Sequence, residues 1–224
     1  MAQPLTPNIS FPETYPESDG QPMADNTKQF RWIVVIKENL ERLFAQDPQV
    51  FVAGDLLWYP VEGSPAIRQA PDVMVVFGSL KGDRGSYRQW LENNVAPQVV
   101  FEILSPGNRF GEMLRKLNFY DRYGVEEYYI YNPDTLELTG LVRSNQTLTL
   151  LDEMDGWSSP RLGIRFQLTS DTLEIYRPDG ERFLTYVELG DQLAAERAQR
   201  QADRQRIQTL ETKLKELGID PDSL

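Results

Sequence analysis

Two short apolar segments decide how this sequence folds: PDVMVVFG at residues 71–78 and APQVVFEILSPGN at residues 96–108. Runs of Val, Phe, Met and Ile of this length, bounded by Pro and Gly, are typical of buried β-strands. Each run also carries one carboxylate, because Asp72 stands at the start of the first run and Glu102 lies inside the second. Burying a carboxylate among apolar side chains is costly unless a cation, a hydrogen-bond donor or water compensates its charge. We therefore predict that a metal ion between Asp72 and Glu102 satisfies both carboxylates.

The segments on either side predict helices and strands in the order α-β-β-β-α-β over residues 27–131. Helical periodicity covers residues 27–46 and 108–123, with Asn108 as the expected N-cap of the second helix. Apolar runs predict strands at residues 50–59, 72–77, 98–104 and 125–131. The helix positions expected to face the core are Phe30, Ile33, Val34, Leu40 and Phe44 in the first helix, with the Lys37 stem spanning the gap, and Phe110, Met113, Leu114, Leu117 and Tyr120 or Asp121 in the second. These elements indicate an α+β fold with an α/β core.

The flanking segments differ in composition from this core. Residues 1–26 are rich in Pro and are expected to form an extended or disordered arm, with Phe11 and Tyr15 as docking points. Up to residue 184, short strands separated by turn residues predict additional β-hairpins. A capping box, TYVE at residues 185–188, opens a predicted long, projecting helix over residues 185–217, and residues 218–224 form a tail. The coiled-coil-like seam of this helix consists of Ile207, Leu210, Leu214 and Leu217, so we expect a homodimer.

The composition excludes several kinds of chemistry. The 224 residues include no Cys and no His, which rules out thiolate sites, ordinary zinc sites and serine triads. Any metal ion must be a hard cation held by oxygen, such as Mg²⁺ or Mn²⁺. The sequence shows neither the pattern of a signal peptide nor an apolar stretch of membrane-spanning length. We therefore expect a cytoplasmic protein that does not contact membranes.

Charge is distributed unevenly along the chain. The net charge of −11 argues against broad, non-specific binding of nucleic acid, which depends on Lys and Arg neutralising phosphates. Residues 81–123 nevertheless contain seven basic and five acidic residues, so the region around the carboxylates is more basic than the rest. Arg84, Arg88, Tyr87 and Trp90, in the long segment 78–97, are suited to contact phosphates or to stack on a base.

With these motifs in place, the chain resembles the PD-(D/E)XK nuclease superfamily, which has the restriction-endonuclease-like fold. Within it, the sequence is similar to the Uma-type endonuclease family. The resemblance covers about residues 30–184. The motifs that carry it are GDLLWYP at 54–60, APDVMVVFG at 70–78, APQVVFEILSPGN at 96–108 and RKLNFYDRYGVEEYYIYNPD at 115–134. It implies a nuclease-like domain over residues 27–184, built on an αβββαβ core.

The resemblance also implies roles for particular residues. Asp72 takes the place of the motif aspartate and Glu102 that of the (D/E), so both would bind Mg²⁺ or Mn²⁺ and the substrate would be DNA. The superfamily lysine, two residues after Glu102, is replaced here by Leu104. Lys116, on the following helix, is the nearest basic substitute and the third expected catalytic residue. An i,i+4 pair with Glu112 is the alternative role for Lys116.

Two functions of different classes follow. The first is metal-dependent hydrolysis of DNA phosphodiester bonds by Asp72, Glu102 and Lys116. The alternative is a catalytically weak or inactive nuclease-fold module that acts through protein–protein contacts and dimerises by its C-terminal helix; Leu104 and the net charge favour it. The sequence leaves open whether Asp55, Glu38 or Glu41 joins the site.

Overall fold

The computed structural model describes residues 14–20 and 22–216. The chain divides into two compact units between Phe183 and Leu184. Phe11, Leu217 and residues 218–224, about which the sequence makes predictions, lie outside the described residues. Most of the predicted N-terminal arm is outside them as well.

The described residues of the first unit form two α-helices and ten strands. The helices are α1, Thr27–Leu43, and α2, Phe110–Arg122, with a short 3₁₀ helix at Gln89–Leu91. The strands are β1 Val50–Gly54, β2 Trp58–Tyr59, β3 Val73–Phe77, β4 Tyr87–Arg88, β5 Val99–Ile103, β6 Glu127–Asn132, β7 Glu137–Ser144, β8 Thr147–Leu150, β9 Arg165–Leu168 and β10 Leu173–Tyr176. The second unit contains α3, Tyr186–Glu216.

Six of the strands form one sheet in the order β1-β3-β5-β6-β7-β8. All neighbours in it are antiparallel except β5 and β6, which are parallel. Parallel strands need a crossover connection, and α2 supplies it. The predicted hairpins are β7–β8 and β9–β10. The prediction of an α+β fold with an αβββαβ core, later β-hairpins and a long C-terminal helix is confirmed.

Alternate residues of the central strands pack on opposite faces of the sheet, as the two-residue period of a strand requires. On one face Val73, Val75 and Phe101 pack in a cluster that includes Ile33 and Leu40 of α1. On the other face, a cluster with Tyr120 of α2 holds Met74, Val76 and Val100. Asp72 lies two residues before Met74, and Glu102 two residues after Val100, so both belong to this second face. The strand period therefore directs both carboxylates towards the face covered by α2.

The predicted buried faces of the two helices are partly wrong. On α1, Phe30 is 48% exposed and Val34 37%, whereas the buried residues are Gln29, Ile33, Ile36, Asn39 and Leu40. On α2, Phe110 is 80% exposed and Leu114 43%; of the two alternatives at the end of the predicted stripe Tyr120 is buried, and so is Lys116, which the apolar pattern did not include. Both helices bury polar side chains, Gln29 and Asn39 on α1 and Lys116 on α2. The positions of the apolar residues alone therefore do not locate the buried face of either helix.

Two local predictions also need correction. The strand predicted over residues 50–59 is interrupted at Asp55, which has a left-handed φ of 48°. Asn108 does not cap α2; the N-cap is Arg109, which makes no side-chain capping bond. The Asn108 side chain instead accepts a hydrogen bond from the Ser105 backbone N–H at 2.6 Å and holds the turn after β5.

The capping box that begins α3 is confirmed. Glu188 Oε2 accepts a hydrogen bond from the Thr185 backbone N–H at 2.8 Å, and Thr185 Oγ1 accepts one from the Glu188 N–H at 3.2 Å. No described residue of α3 is buried, and Ile207 and Leu210 are 54% and 52% exposed. None of the helices in the described part of the chain combines the length and apolar character needed to cross a membrane.

Candidate active site

Pairing of β3 with β5 brings the two predicted carboxylates together. The register pairs Val73 with Phe101, and its continuation by one residue places Asp72 opposite Glu102. Side chains directly opposite each other on one face of an antiparallel pair have Cβ atoms about 5 Å apart. Asp72 is 8% exposed and Glu102 2%. Asp72 Oδ2 accepts a hydrogen bond of 2.6 Å from the Ile103 N–H, which fixes its carboxylate beside Glu102.

Helix α2 supplies two donors to Glu102. Lys116 Nζ donates to Glu102 Oε2 at 2.7 Å, and the Tyr120 hydroxyl donates to Oε1 at 2.5 Å. Residues four apart lie on the same face of a helix, so Lys116 and Tyr120 both reach the Glu102 carboxylate from one face of α2. Of the two roles left open for Lys116, the structure thus shows an ion pair with Glu102, while Glu112 acts on it only as a nearby charge.

Burial perturbs the ionisation of all three groups. Desolvation raises the pKa of Asp72 well above its ordinary value, and the charge of Glu102 raises it further. Desolvation also raises the pKa of Glu102, although Lys116 and Tyr120 offset part of the effect. Desolvation lowers the pKa of Lys116, but attraction to Glu102 and Asp72 outweighs it, so the pKa lies above its ordinary value. Lys116 therefore keeps its charge at neutral pH, next to two carboxylates that are costly to ionise.

A cavity of about 390 Å³ opens on this cluster, with Asp72 and Lys116 in its wall. Asp55 also lines the cavity, and burial followed by the charge of Asp19 raises its pKa. The remaining lining residues are Asp19, Pro22, Met23, Ala24, Asp25, Gln29, Gln69, Ala70, Gly107, Asn108 and Glu112. Glu38 and Glu41 are not among them and instead pair with Lys37 and Lys81. Of the three acids left open by the sequence, the structure brings only Asp55 to the site.

Several residues of the site carry little signal in the sequence. Tyr120 is predicted only as one of two alternatives on the apolar stripe of α2, and nothing in the sequence indicates that its hydroxyl contacts Glu102. Gln29 of α1 donates through Nε2 to the Ile103 carbonyl at 2.8 Å, and its Oε1 accepts from the Asp25 N–H at 2.8 Å. Gln29 is a glutamine among apolar positions of α1, which is not enough to predict this contact from the sequence. Asp19 and Asp25 belong to the predicted N-terminal arm, where nothing in the sequence indicates a site.

Three of the residues in segment 78–97 that were expected to contact nucleic acid make contacts within the protein. Tyr87 is fully buried in β4, and Arg84 forms an ion pair of 2.7 Å with Glu92 and lies 3.9 Å from the centre of the Phe51 ring. Trp90 packs on Tyr15, with ring centroids 5.0 Å apart. The segment is therefore held by internal contacts, and Tyr15 is a docking point, as predicted for the arm.

A second buried acid, Glu127 at the start of β6, shows what a structural carboxylate looks like in this protein. Its side chain accepts hydrogen bonds from the Ser159 and Tyr129 hydroxyls and from the Arg161 N–H. It does not line the cavity that contains Asp72. Glu102 differs because its strongest partner is a charged lysine and its neighbour across the strand is another carboxylate.

The donor set is compatible with a divalent cation. Among the described residues, no three carboxylates gather closely enough to hold an ion. Asp72 nevertheless uses only one of its oxygens in a hydrogen bond with the described chain, and each oxygen of an ionised carboxylate has two acceptor positions. Mg²⁺ is commonly held by one or two carboxylates, with water and substrate phosphate completing its coordination. Asp72 and Glu102 fit this pattern, and a cation would relieve the repulsion between them.

An αβββαβ core that brings together Asp72 before β3, Glu102 of β5 and Lys116 of α2 is the arrangement expected of the restriction-endonuclease-like class of proteins. The sequence matches the family described as "Uma2: Putative restriction endonuclease" over residues 18–171. Because this range covers more than half of the 224 residues, the chain belongs to that family.

Other comparisons add structural context only. No curated protein matches the sequence. A similar solved structure is described as "Crystal structure of a putative nuclease belonging to DUF820 from Anabaena variabilis ATCC 29413". The two chains are 17% identical, the similarity covers 68% of this chain and 87% of the other, and the TM-score is 0.46.

Proposed function

We propose that this protein is a metal-dependent endonuclease that hydrolyses DNA phosphodiester bonds. The observation that carries the proposal is the meeting of Asp72, Glu102 and Lys116, from three different elements, beside one cavity. Two desolvated carboxylates next to a charged lysine are expensive to maintain, and perturbed ionisation of this kind is concentrated at functional sites. Membership of the family described as "Putative restriction endonuclease" supports the same reaction class.

Each residue has a separate task in this proposal. A Mg²⁺ or Mn²⁺ ion held by Asp72 and Glu102 would activate a water molecule and neutralise charge on the phosphate. Lys116 gives one N–H to Glu102 and has two more, which can reach a phosphate oxygen in the cavity. Tyr120 and the Ile103 N–H keep the two carboxylates in place. Leu104 stands where the superfamily has its lysine, but Lys116 reaches Glu102 from α2 and gives the site its cationic side chain.

The metal site is tested by replacing Asp72 with Asn. The substitution keeps the shape of the side chain but removes one of the two ligand charges, so we expect Mn²⁺ affinity to fall by about 10-fold or more. Titration calorimetry on the wild type and the variant measures this, alongside cleavage of plasmid DNA with Mg²⁺ or Mn²⁺. Asp179→Asn is the matched control, because Asp179 is exposed and pairs with Arg177 outside the cavity. A wild-type protein that neither binds Mn²⁺ nor cuts DNA would refute the proposal.

We further propose that the enzyme is a homodimer that associates through α3. Exposed Ile207 and Leu210, followed by Leu214, repeat at the three- and four-residue spacing of a coiled-coil seam.

Ile207→Lys combined with Leu210→Lys is expected to reduce the mass in solution to that of a monomer, measured by light scattering. Gln205→Lys with Gln208→Lys adds the same charge at the same spacing beside the seam and should leave the mass unchanged. If the seam variant keeps the mass of the wild type, α3 is not the assembly element.

A further inference from the structure

The first turn of α2 exposes an aromatic ring between two arginines. Phe110 is 80% exposed, more than any other large apolar side chain among the described residues of the first unit, and Leu114 one turn later is 43% exposed. Arg109 and Arg115 are exposed too, and neither forms an ion pair or side-chain hydrogen bond with the described part of the chain. We call Arg109, Phe110, Leu114 and Arg115 the α2 patch.

The charges of the α2 patch are placed where an anion would be stabilised. Arg109 occupies the N-cap position, and its side chain makes no capping bond. The free N–H groups of a first helical turn carry partial positive charge, so a guanidinium there is unfavourable unless an anion binds. Arg115 points back towards the same turn, because a Cβ built on Gly111 would lie 3.9 Å from its Nη1. The first turn also contains Glu112, but among the described residues neither arginine forms an ion pair with it or with any other acid.

The α2 patch is continuous with the candidate active site. Asn108, Glu112 and Lys116 line the cavity, and they alternate along the chain with members of the patch. At a rise of 1.5 Å per residue, Phe110 lies roughly 9 Å along the helix axis from Lys116. A nucleic-acid strand with one phosphate at Lys116 can therefore lie along the first turns of α2.

We propose that the α2 patch binds a single strand of the nucleic-acid substrate, with one base stacked on Phe110 and the neighbouring phosphates on Arg109 and Arg115. This inference rests on the proposed nuclease function, to which it adds the form of the substrate. Stacking on an aromatic side chain needs an unpaired base, since the bases of a duplex already stack on one another. An apolar protein surface would cover Phe110 and Leu114 but would leave both arginines and the helix N-terminus without an anion.

The test measures binding in EDTA, where no metal-dependent cleavage interferes. A fluorescein-labelled oligodeoxynucleotide is titrated with the full chain and followed by anisotropy, single-stranded and annealed to its complement. Phe110→Leu keeps an apolar side chain without the ring and should weaken single-strand binding by about 10-fold, whereas Phe110→Trp should retain it. Arg115→Gln should reduce the slope of log affinity against log salt by about 0.7, as expected for one phosphate contact. Leu150→Ala and Arg42→Gln, at exposed positions on β8 and at the end of α1, are the matched controls.

The outcomes separate this inference from the proposed function. Weaker single-strand binding by Phe110→Leu, with unchanged controls and little effect on the duplex, supports the α2 patch even if no cleavage is found. Cleavage by the wild type together with unchanged binding by Phe110→Leu overturns the inference and leaves the nuclease proposal standing. Wild-type protein that binds no single strand overturns it, as does a Phe110→Leu variant whose mass in solution changes while its affinity does not.

Discussion

Replacing Lys116 by Met is expected to lower the rate of DNA cleavage by about 100-fold or more, the usual cost of losing one electrostatic stabiliser of the transition state. The ammonium group stabilises charge that develops only as the phosphate reacts, so its loss should lower kcat more than it weakens metal binding. Mn²⁺ affinity should therefore survive the substitution. Single-turnover cleavage at a temperature where circular dichroism shows the variant folded, together with calorimetric Mn²⁺ titration, measures both quantities.

Lys28→Met is the matched control for this experiment. Lys28 is an exposed lysine that pairs with Asp134, and it does not line the cavity, so cleavage should be unchanged. Adding Leu104→Lys to Lys116→Met should recover part of the rate if the two positions reach the same phosphate. Unchanged cleavage by Lys116→Met would refute a catalytic role for this lysine.

The same ion pair predicts a large effect on stability. Lys116→Met leaves Glu102, which is 2% exposed, without its cationic partner, and removing one member of a buried pair costs about 3–5 kcal/mol of unfolding free energy. Replacing both members, as in Glu102→Gln with Lys116→Met, removes the uncompensated charge and should restore a large part of this loss. Urea unfolding of the wild type, both single variants and the double variant gives the coupling energy of the pair.

The pH dependence of Lys116→Met provides a second readout. Burial raises the pKa of Glu102 above its unfolded value, and loss of Lys116 removes a charge that lowers it. An acid whose pKa is raised by folding binds more protons in the native state, so its contribution to stability is lost as pH rises through the folded pKa. The deficit of Lys116→Met should therefore be smaller at pH 5 than at pH 8. A deficit below about 1 kcal/mol at every pH, typical of exposed ion pairs, would contradict the burial of this pair.

The order of elements was predictable because it depends on local information. Apolar runs mark β1, β3, β5 and β6 within a few residues, and the turn residues mark the later hairpins. The capping box placed the start of α3 for the same reason, since its partners are three residues apart. Asp72 and Glu102 stood out because a carboxylate in an apolar strand is costly wherever the strand lies.

Contacts between distant elements needed the tertiary structure. The sequence indicated Lys116 as a candidate catalytic residue but left its partner open. The packing of α2 on the sheet is what pairs Lys116 with Glu102 and not with Glu112. Tyr120 and Gln29 join the site because helices from either side of the sheet reach the end of β5.

By itself, then, the sequence determined the αβββαβ order, the oxygen-only chemistry of a chain without His or Cys, and the two acids on the central strands. Only the tertiary structure decided that Asp55 lines the cavity and that Arg84 is held by Glu92. Only the tertiary structure, likewise, turned Phe110 towards solvent. The physical reason is that apolar periodicity identifies the buried face of a helix only when the helix packs against an apolar surface. Here the partner of α2 includes a buried carboxylate, and the helix turns its lysine and tyrosine inward to satisfy that charge, which leaves Phe110 and Leu114 at the surface.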